Sequence, residues 1–241
     1  MLFRSGRRTA HPAYQTLGTP NGYELAIIRD LTNGKQFSLT SYNRATGLTT
    51  VIPGTTWVDT SATAQPTQQN FYFGISRDGV WAAIGVKDSN TTPGFAGKLL
   101  AFRTDGTQPA VDISPAVWPT TNSWFDGSIL FTNDFLLVAG SYGWHWTSAT
   151  NPTTLQPLAL PNVTSNNGAN IRVYTVSWRV SPDGSTAYFP IDSNTTTARV
   201  NMDMAKITNN GGVPLAVNYT QFTAATGMAE FGYSAITPSN V

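Results

Sequence analysis

The chain has 241 residues with a net charge of +1, and only 11% of them are charged, against about 25% in an average globular protein. Thr is the commonest residue at 35, whereas Glu occurs 2 times and Lys 4 times. This composition excludes a helical bundle or coiled coil, and the 40% of hydrophobic residues exclude a disordered chain. The near-neutral charge gives no electrostatic reason to expect a nucleic-acid partner. Thr, aromatic residues, 21 Gly and 15 Pro together indicate short strands and many turns.

Residues 1–12 are predicted to form a basic N-terminal arm that carries Arg4, Arg7 and Arg8. The arm is either a solvated terminus or a segment that docks on a neighbouring subunit. No apolar stretch of signal-peptide length follows it, so we expect no secretory signal. No run of 18 apolar residues occurs, so no membrane insertion is expected. The absence of Cys excludes disulfides and thiolate metal sites.

A four-residue signature recurs along the chain at intervals of 57, 56, 49 and 56 residues. Most copies combine a hydroxyl residue with Asn or Asp two positions later and Gly after that, a sequence typical of tight hairpin turns. The five copies are residues 19–22, 76–79, 132–135, 181–184 and 237–240. Even spacing of this kind indicates an internal structural repeat.

Each signature lies between two predicted strands, and a second predicted hairpin follows it. In chain order the predicted strands are 13–18, 23–28, 36–42 and 48–52; 71–75, 80–86, 98–102 and 109–113; 128–131, 135–139, 143–146 and 154–158; 173–180, 186–189, 199–207 and 213–217; and 230–236. Because a four-stranded sheet cannot bury both faces alone, such units pack face to face around an axis. The sequence therefore predicts an all-β protein, with a β-propeller of four-stranded antiparallel blades over residues 13–241.

The sequence Ser181-Pro-Asp-Gly184 before an apolar strand, together with the turn Asn43-Arg-Ala-Thr-Gly47, resembles TolB-type and WD-repeat propellers. The resemblance covers about residues 13–241. No Trp-Asp dipeptide ends a blade, which favours the TolB-like side, and the adjacent Asp and Gly disfavour sialidase-type blades. The resemblance implies a blade architecture and no particular function, because propellers host many unrelated activities.

The number of blades has two interpretations. Four full units are followed by residues 228–241, which contain the first strand and turn of a fifth. Either the strand at 229–236 closes a four-bladed ring, since closure removes edge strands, or the chain belongs to a longer ring or an array that another subunit completes.

Two histidines, His11 and His145, limit the candidates for a general base. His145 lies between Trp144 and Trp146 in a predicted strand. The three residues form either an aromatic cluster on a blade or a stacking platform for a sugar or a partner. No catalytic motif stands out, and we expect no catalytic residue, metal or cofactor.

Two further tryptophans, Trp118 and Trp124, flank a loop between the second and third blades. They either fill space between blades or contact a partner. The predicted binding residues are therefore Trp118, Trp124, Trp144, His145 and Trp146.

One five-residue sequence occurs twice, as Asp88-Ser-Asn-Thr-Thr92 and Asp192-Ser-Asn-Thr-Thr196. Oxygen-rich loops of this kind suit Ca²⁺, which takes six to eight oxygen ligands. An Asx turn, in which the Asp side chain binds its own backbone, is the preferred interpretation.

For function, we expect a structural or interaction protein of a virion, either a bacteriophage tail component or a capsid-associated one. The abundance of Thr, Ser and Asn without Cys resembles phage structural proteins, and propellers of this general kind occur in the tail nozzles of short-tailed phages. The expected partners are other structural subunits in a homo- or hetero-oligomer, and the expected location is the virion, or otherwise the cytoplasm. The alternative is a glycan- or receptor-binding propeller. A hydrolase is a weaker third hypothesis, because no catalytic constellation is visible.

Overall fold

The computed structural model describes residues 16–29, 36–58, 72–88, 96–114, 128–140, 143–159, 179–195 and 198–223. Within these ranges the strands form four antiparallel sheets, each with its strands side by side in chain order. These sheets, blades 1 to 4, confirm the predicted all-β propeller class. The chain divides into two compact units, residues 1–124 and 125–241, with two blades in each. The described part of the chain contains no helix suited to crossing a membrane.

Unit 1 contains blades 1 and 2. The strands of blade 1 are β1 (Thr16–Gly18), β2 (Tyr23–Arg29), β3 (Gln36–Asn43), β4 (Thr49–Val51) and β5 (Trp57–Val58). Both β4 and β5 pair with β3, so they form two parts of one outer strand. The strands of blade 2 are β6 (Tyr72–Ile75), β7 (Trp81–Asp88), β8 (Ala96–Arg103) and β9 (Val111–Asp112).

Unit 2 contains blades 3 and 4. The strands of blade 3 are β10 (Ser128–Phe131), β11 (Phe135–Gly140), β12 (Gly143–Ser148) and β13 (Gln156–Pro157). The strands of blade 4 are β14 (Arg179–Val180), β15 (Ala187–Thr195), β16 (Ala198–Asn210) and β17 (Val213–Thr223). The predicted strand at 128–131 is found at those residues, whereas β15 continues well past its predicted end at 189. The basic arm at 1–12 and the fifth signature at 237–240 lie outside the described residues.

The core of unit 1 lies between facing surfaces of blades 1 and 2. Successive side chains of a strand point to opposite faces, so every second residue of β2 enters this core. Its buried members are Leu25, Ile27, Leu39 and Ile52 from blade 1, and Ala82, Ile84, Leu100 and Phe102 from blade 2. Each fully buried Leu, Ile or Phe stabilises the fold by about 1.5–3 kcal/mol.

The core of unit 2 has the same construction between blades 3 and 4. Its buried members are Phe135, Leu137, Trp144, Leu158, Ala187, Phe189, Ile207 and Ala216. The rings of Trp144 and Phe189 pack with their centroids 4.1 Å apart. In both units the faces in contact are the ones that the alternating apolar residues define.

Replacing Gly79 with Ala is expected to destabilise unit 1 more than replacing Gly47 with Ala. Both glycines have φ of +74°, so each Ala carries a similar strain of about 1–2 kcal/mol. At Gly79 the new Cβ would also lie 2.7 Å from Asn21 Oδ1, whereas at Gly47 its nearest neighbour is Tyr42 Oη at 3.9 Å. Overpacking of this kind costs about 1–3 kcal/mol more. Urea denaturation measures both variants, and equal losses would contradict the contact.

Candidate interaction surface

The repeated signature forms a hairpin turn that its own side chains stabilise. In blade 2 the Ser76 hydroxyl accepts a hydrogen bond from Trp81 N–H at 2.9 Å and lies 2.6 Å from Asp78 Oδ1. Asp78 Oδ1 in turn accepts Val80 N–H at 2.9 Å. The hydroxyl and acidic positions of the signature are therefore bonded to the turn backbone, which explains why they recur.

In unit 1 the turn of blade 1 is bonded to blade 2. Asn21 Nδ2 donates to Thr104 Oγ1 at 3.1 Å, and the Thr104 hydroxyl donates to Gly79 O. The hydroxyl of Ser41, on blade 1, donates to the Thr104 carbonyl oxygen. Thr104 is 0% exposed, so its own polar atoms in these bonds are shielded from water. Breaking one of them would leave a buried polar group unsatisfied.

In unit 2 an Asn again bonds to the next blade, but its acceptors are different. Asn133 donates its backbone N–H to Gly184 O at 2.8 Å and its side-chain Nδ2 to Asp183 O at 2.9 Å. In both units an Asn of one blade therefore bonds across to its neighbour. This contact between blades is not apparent from the sequence, although Asn21 and Asn133 both lie within copies of the signature.

The glycines of the turns differ in what surrounds them. Gly79 and Gly184 are buried, and Gly79 contacts Asn21 of the preceding blade. The equivalent Gly22 of blade 1 is half-buried, and a Cβ added there would meet no described atom within 4 Å. No described residue thus takes at Gly22 the position that Asn21 takes at Gly79.

The charged groups at the turns serve the turns themselves. Hydrogen bonds from the Ser181 hydroxyl and from Ser185 lower the pKa of Asp183 to about 2. Burial of Asp105 opposes its ionisation, but hydrogen bonds from Arg103 and Thr107 outweigh burial and lower its pKa. Arg103 Nη2 lies 2.9 Å from Asp105 Oδ2. Both carboxylates are therefore ionised at neutral pH.

The predicted binding residues of β12 lie on two different faces. Trp144 and Trp146 face the core of unit 2, whereas His145 faces the opposite side because side chains alternate along a strand. Trp144 is 3% exposed, and Trp146 is half-buried with its ring edge-on to Phe135 at 5.4 Å. Burial lowers the pKa of His145. The three residues therefore do not form a single stacking platform.

Two other predictions fall partly or wholly outside the described residues. Trp118 and Trp124 lie in the range 115–127, which the structure does not describe. Residues Asp192–Thr195, for which we preferred an Asx turn, instead continue β15, with a register shift between Ser193 and Asn194. That preference was wrong for this copy, because pairing with β16 holds the backbone extended. In the other copy Asp88 ends β7, and the residues after it are outside the described ranges.

Blades 1 and 4 each have a second face that carries exposed aliphatic side chains. On blade 1, Ile28 is 42% and Val51 56% exposed, and both point away from the core that Leu25 and Ile27 enter. On blade 4, Leu215 is 44% exposed on the face opposite Ala216. We call these surfaces the outer faces of blades 1 and 4. Sequence alternation marks which residues share a face but not which face is covered.

No protein-family model matches the sequence, and no curated protein matches it. The chain is similar to a solved structure from Agrobacterium tumefaciens assigned as TolB, with 9% identity and a TM-score of 0.41, over 86% of this chain and 64% of that one. It is also similar to an ancestral GH74 enzyme, with 11% identity and a TM-score of 0.44, over 84% of this chain and 25% of that one. A Bacteroides uniformis protein assigned as a 6-phosphogluconolactonase has 12% identity and a TM-score of 0.38, over 93% and 75% of the two chains. The chain thus spans less than two thirds of the first two.

Replacing Asp183 with Asn is expected to reduce the dependence of folding stability on pH in the acid range. The pKa of Asp183 is about 2 in the folded chain against an ordinary value of 3.8. Ionised Asp183 therefore stabilises the fold above pH 3.8, and this contribution is lost as the pH falls towards 2. The Asn variant keeps an acceptor oxygen but has no proton to bind. Thermal melting of both proteins across this range measures the difference, and parallel profiles would contradict the assignment.

Proposed function

We propose that the chain is a structural or interaction module that acts through the outer faces of blades 1 and 4 and catalyses no reaction. The observation that carries this proposal is the exposure of Ile28, Val51 and Leu215 on regular sheet faces. Exposed aliphatic residues on a sheet face favour contact with another protein. The other face of each blade is already used in the core of its unit.

The roles of the ionisable groups support a non-catalytic function. A general acid or base needs a pKa near the working pH, whereas hydrogen bonds hold Asp183 and Asp105 ionised well below it. Burial lowers the pKa of His145. These groups stabilise turns and strands rather than presenting a reactive site.

The proposal further assigns the chain to a virus particle. This assignment rests on composition, namely abundant Thr, Ser and Asn with 11% charged residues and no Cys. Uncharged polar surfaces suit permanent packing in an assembly better than the steering of a charged ligand. The similar solved structures add no support for a phage protein. In this proposal the partners of the chain are other structural subunits, and the chain is located in the virus particle.

A glycan- or receptor-binding propeller is the alternative function. Trp146 favours it, because its ring is half-buried and held edge-on by Phe135, and rigid aromatic rings suit stacking on sugars. The test is to titrate the wild type and a Trp146→Ala variant with host saccharides and to compare the quenching of their Trp fluorescence. Saturable quenching in the wild type alone would favour this alternative over an assembly role.

In its native setting, the tagged full chain is expected to sediment with particles in a density gradient. A Val51→Asp, Leu215→Asp double variant should lose this co-sedimentation, because it places charge on both outer faces. Val111→Asp on β9 is the matched control, since Val111 is also an exposed aliphatic residue of an outer strand. Circular dichroism checks that all variants fold. If the wild-type chain sedimented apart from the particles, an assembly role would be contradicted.

A further inference from the structure

We propose that Asn210 is a site of spontaneous covalent modification, at which the side-chain amide is lost as ammonia. Asn210 ends β16, and Gly211 follows it in the turn that leads to β17. The backbone nitrogen after an Asn can attack its side-chain carbonyl carbon, and it does so most readily when it belongs to glycine, which has no Cβ to hinder the approach. The sequence Asn-Gly occurs 4 times in the chain. The pairs at Asn33 and Asn167 lie outside the described residues.

The modification needs water as its only co-reactant and changes no oxidation state. The Gly211 nitrogen gives up its proton and bonds to Cγ of Asn210, while the Cγ–Nδ2 bond breaks and Nδ2 leaves with a proton as ammonia. The product is a cyclic succinimide. Water then opens the ring at one of its two carbonyl carbons. Opening at Cγ gives aspartate, whereas opening at the backbone carbonyl carbon gives isoaspartate, in which the main chain runs through the side-chain carbons.

Both reacting groups are accessible at Asn210. Asn210 and Gly211 are exposed, and a Cβ added at Gly211 would meet no described atom within 4 Å. The side-chain bond of this turn is made by other residues, because Asn209 Oδ1 accepts the N–H of Gly212 at 2.8 Å. Within the part of the chain that the structure describes, neither the Asn210 side-chain amide nor the Gly211 N–H makes a hydrogen bond. Attack at this turn therefore breaks no such bond.

The Asn-Gly pair of blade 1 is held in place at the same two groups. Asn21 is also exposed, but its Oδ1 accepts the Thr19 hydroxyl at 2.6 Å and its Nδ2 donates to Thr104 Oγ1 at 3.1 Å. The N–H of Gly22 donates to Thr19 O at 3.2 Å. Attack at Asn21 would have to disrupt these bonds. Since both Asn residues are exposed, hydrogen bonding rather than access of water distinguishes them.

The modification would alter the hairpin of β16 and β17. Either product places a carboxylate in the turn, where the amide of Asn210 was neutral. Isoaspartate also adds one carbon to the main chain before Gly211. The two-residue turn then becomes longer, and the pairing of Asn210 with Val213 that closes it is disturbed.

Peptide mapping by mass spectrometry tests the site in the purified full chain, sampled over time at neutral pH. We expect the peptide with Asn210 to acquire the mass of aspartate and isoaspartate several-fold faster than the peptide with Asn21. An isoaspartate methyltransferase should label the aged chain at residue 210. Asn210→Gln should abolish the change at this turn, because the longer side chain closes a ring far more slowly, and should leave the peptide with Asn21 as in the wild type.

A second comparison tests whether hydrogen bonds protect Asn21. Thr104→Val removes the acceptor of Asn21 Nδ2, so it should raise the rate at Asn21 several-fold and leave the rate at Asn210 unchanged. Circular dichroism checks that this variant folds. In urea, where both turns are unfolded, the two sites of the wild type should react at similar rates. Equal rates at Asn21 and Asn210 in the folded chain, a difference that persists in urea, or an Asn210 that keeps its amide would overturn the inference.

Discussion

A four-stranded sheet has two faces, and the need to cover both constrains every other feature of this chain. Each unit covers one face of each blade by stacking it on its neighbour, with side chains such as Ile27 and Phe102 in unit 1 and Leu137 and Phe189 in unit 2. The outer face of blade 1 combines Glu24 with hydroxyl and aliphatic side chains, whereas that of blade 4 combines Arg179 and Lys206 with aliphatic ones. The proposed interaction surfaces are therefore a consequence of the stacking rather than an addition to it.

The hairpin turns provide the second element of this design, because they hold neighbouring blades in register. Within its own turn the Ser76 hydroxyl accepts Trp81 N–H, whereas Asn21 and Asn133 donate side-chain hydrogen bonds to the next blade. Such bonds need Ser, Thr, Asn and Asp but no Lys or Glu. The composition of the chain thus reflects how its turns are built, in addition to any surface it presents to partners.

Much of the fold could be predicted because turn chemistry and strand alternation are local. The spacing of the signatures located the blades, and Gly79 and Gly184 have the positive φ that the hairpin turns require. The candidate site was less accessible to such reasoning. Alternation separates His145 from Trp144 once the strand is known, but it does not say which face a neighbour covers. The extended conformation at Asp192 depends on pairing with a strand that begins at Ala198, and pairing outweighed the local preference for a turn.

The edges of the blades indicate why interaction should use faces instead. Most outer strands are only 2 or 3 residues long, which leaves little edge for a foreign strand to pair with. β17 is longer, with 11 residues, but it carries two features that oppose pairing. Val213 pairs with Asn210 across the two-residue turn, so the backbone nitrogen of the next residue, Pro214, points away from β16. A foreign strand would need an N–H at this position, and proline has none. A register shift near Asn218 then bends the strand. Because these edges are blunted, an interaction partner is expected to contact the sheet faces rather than to pair with an edge strand.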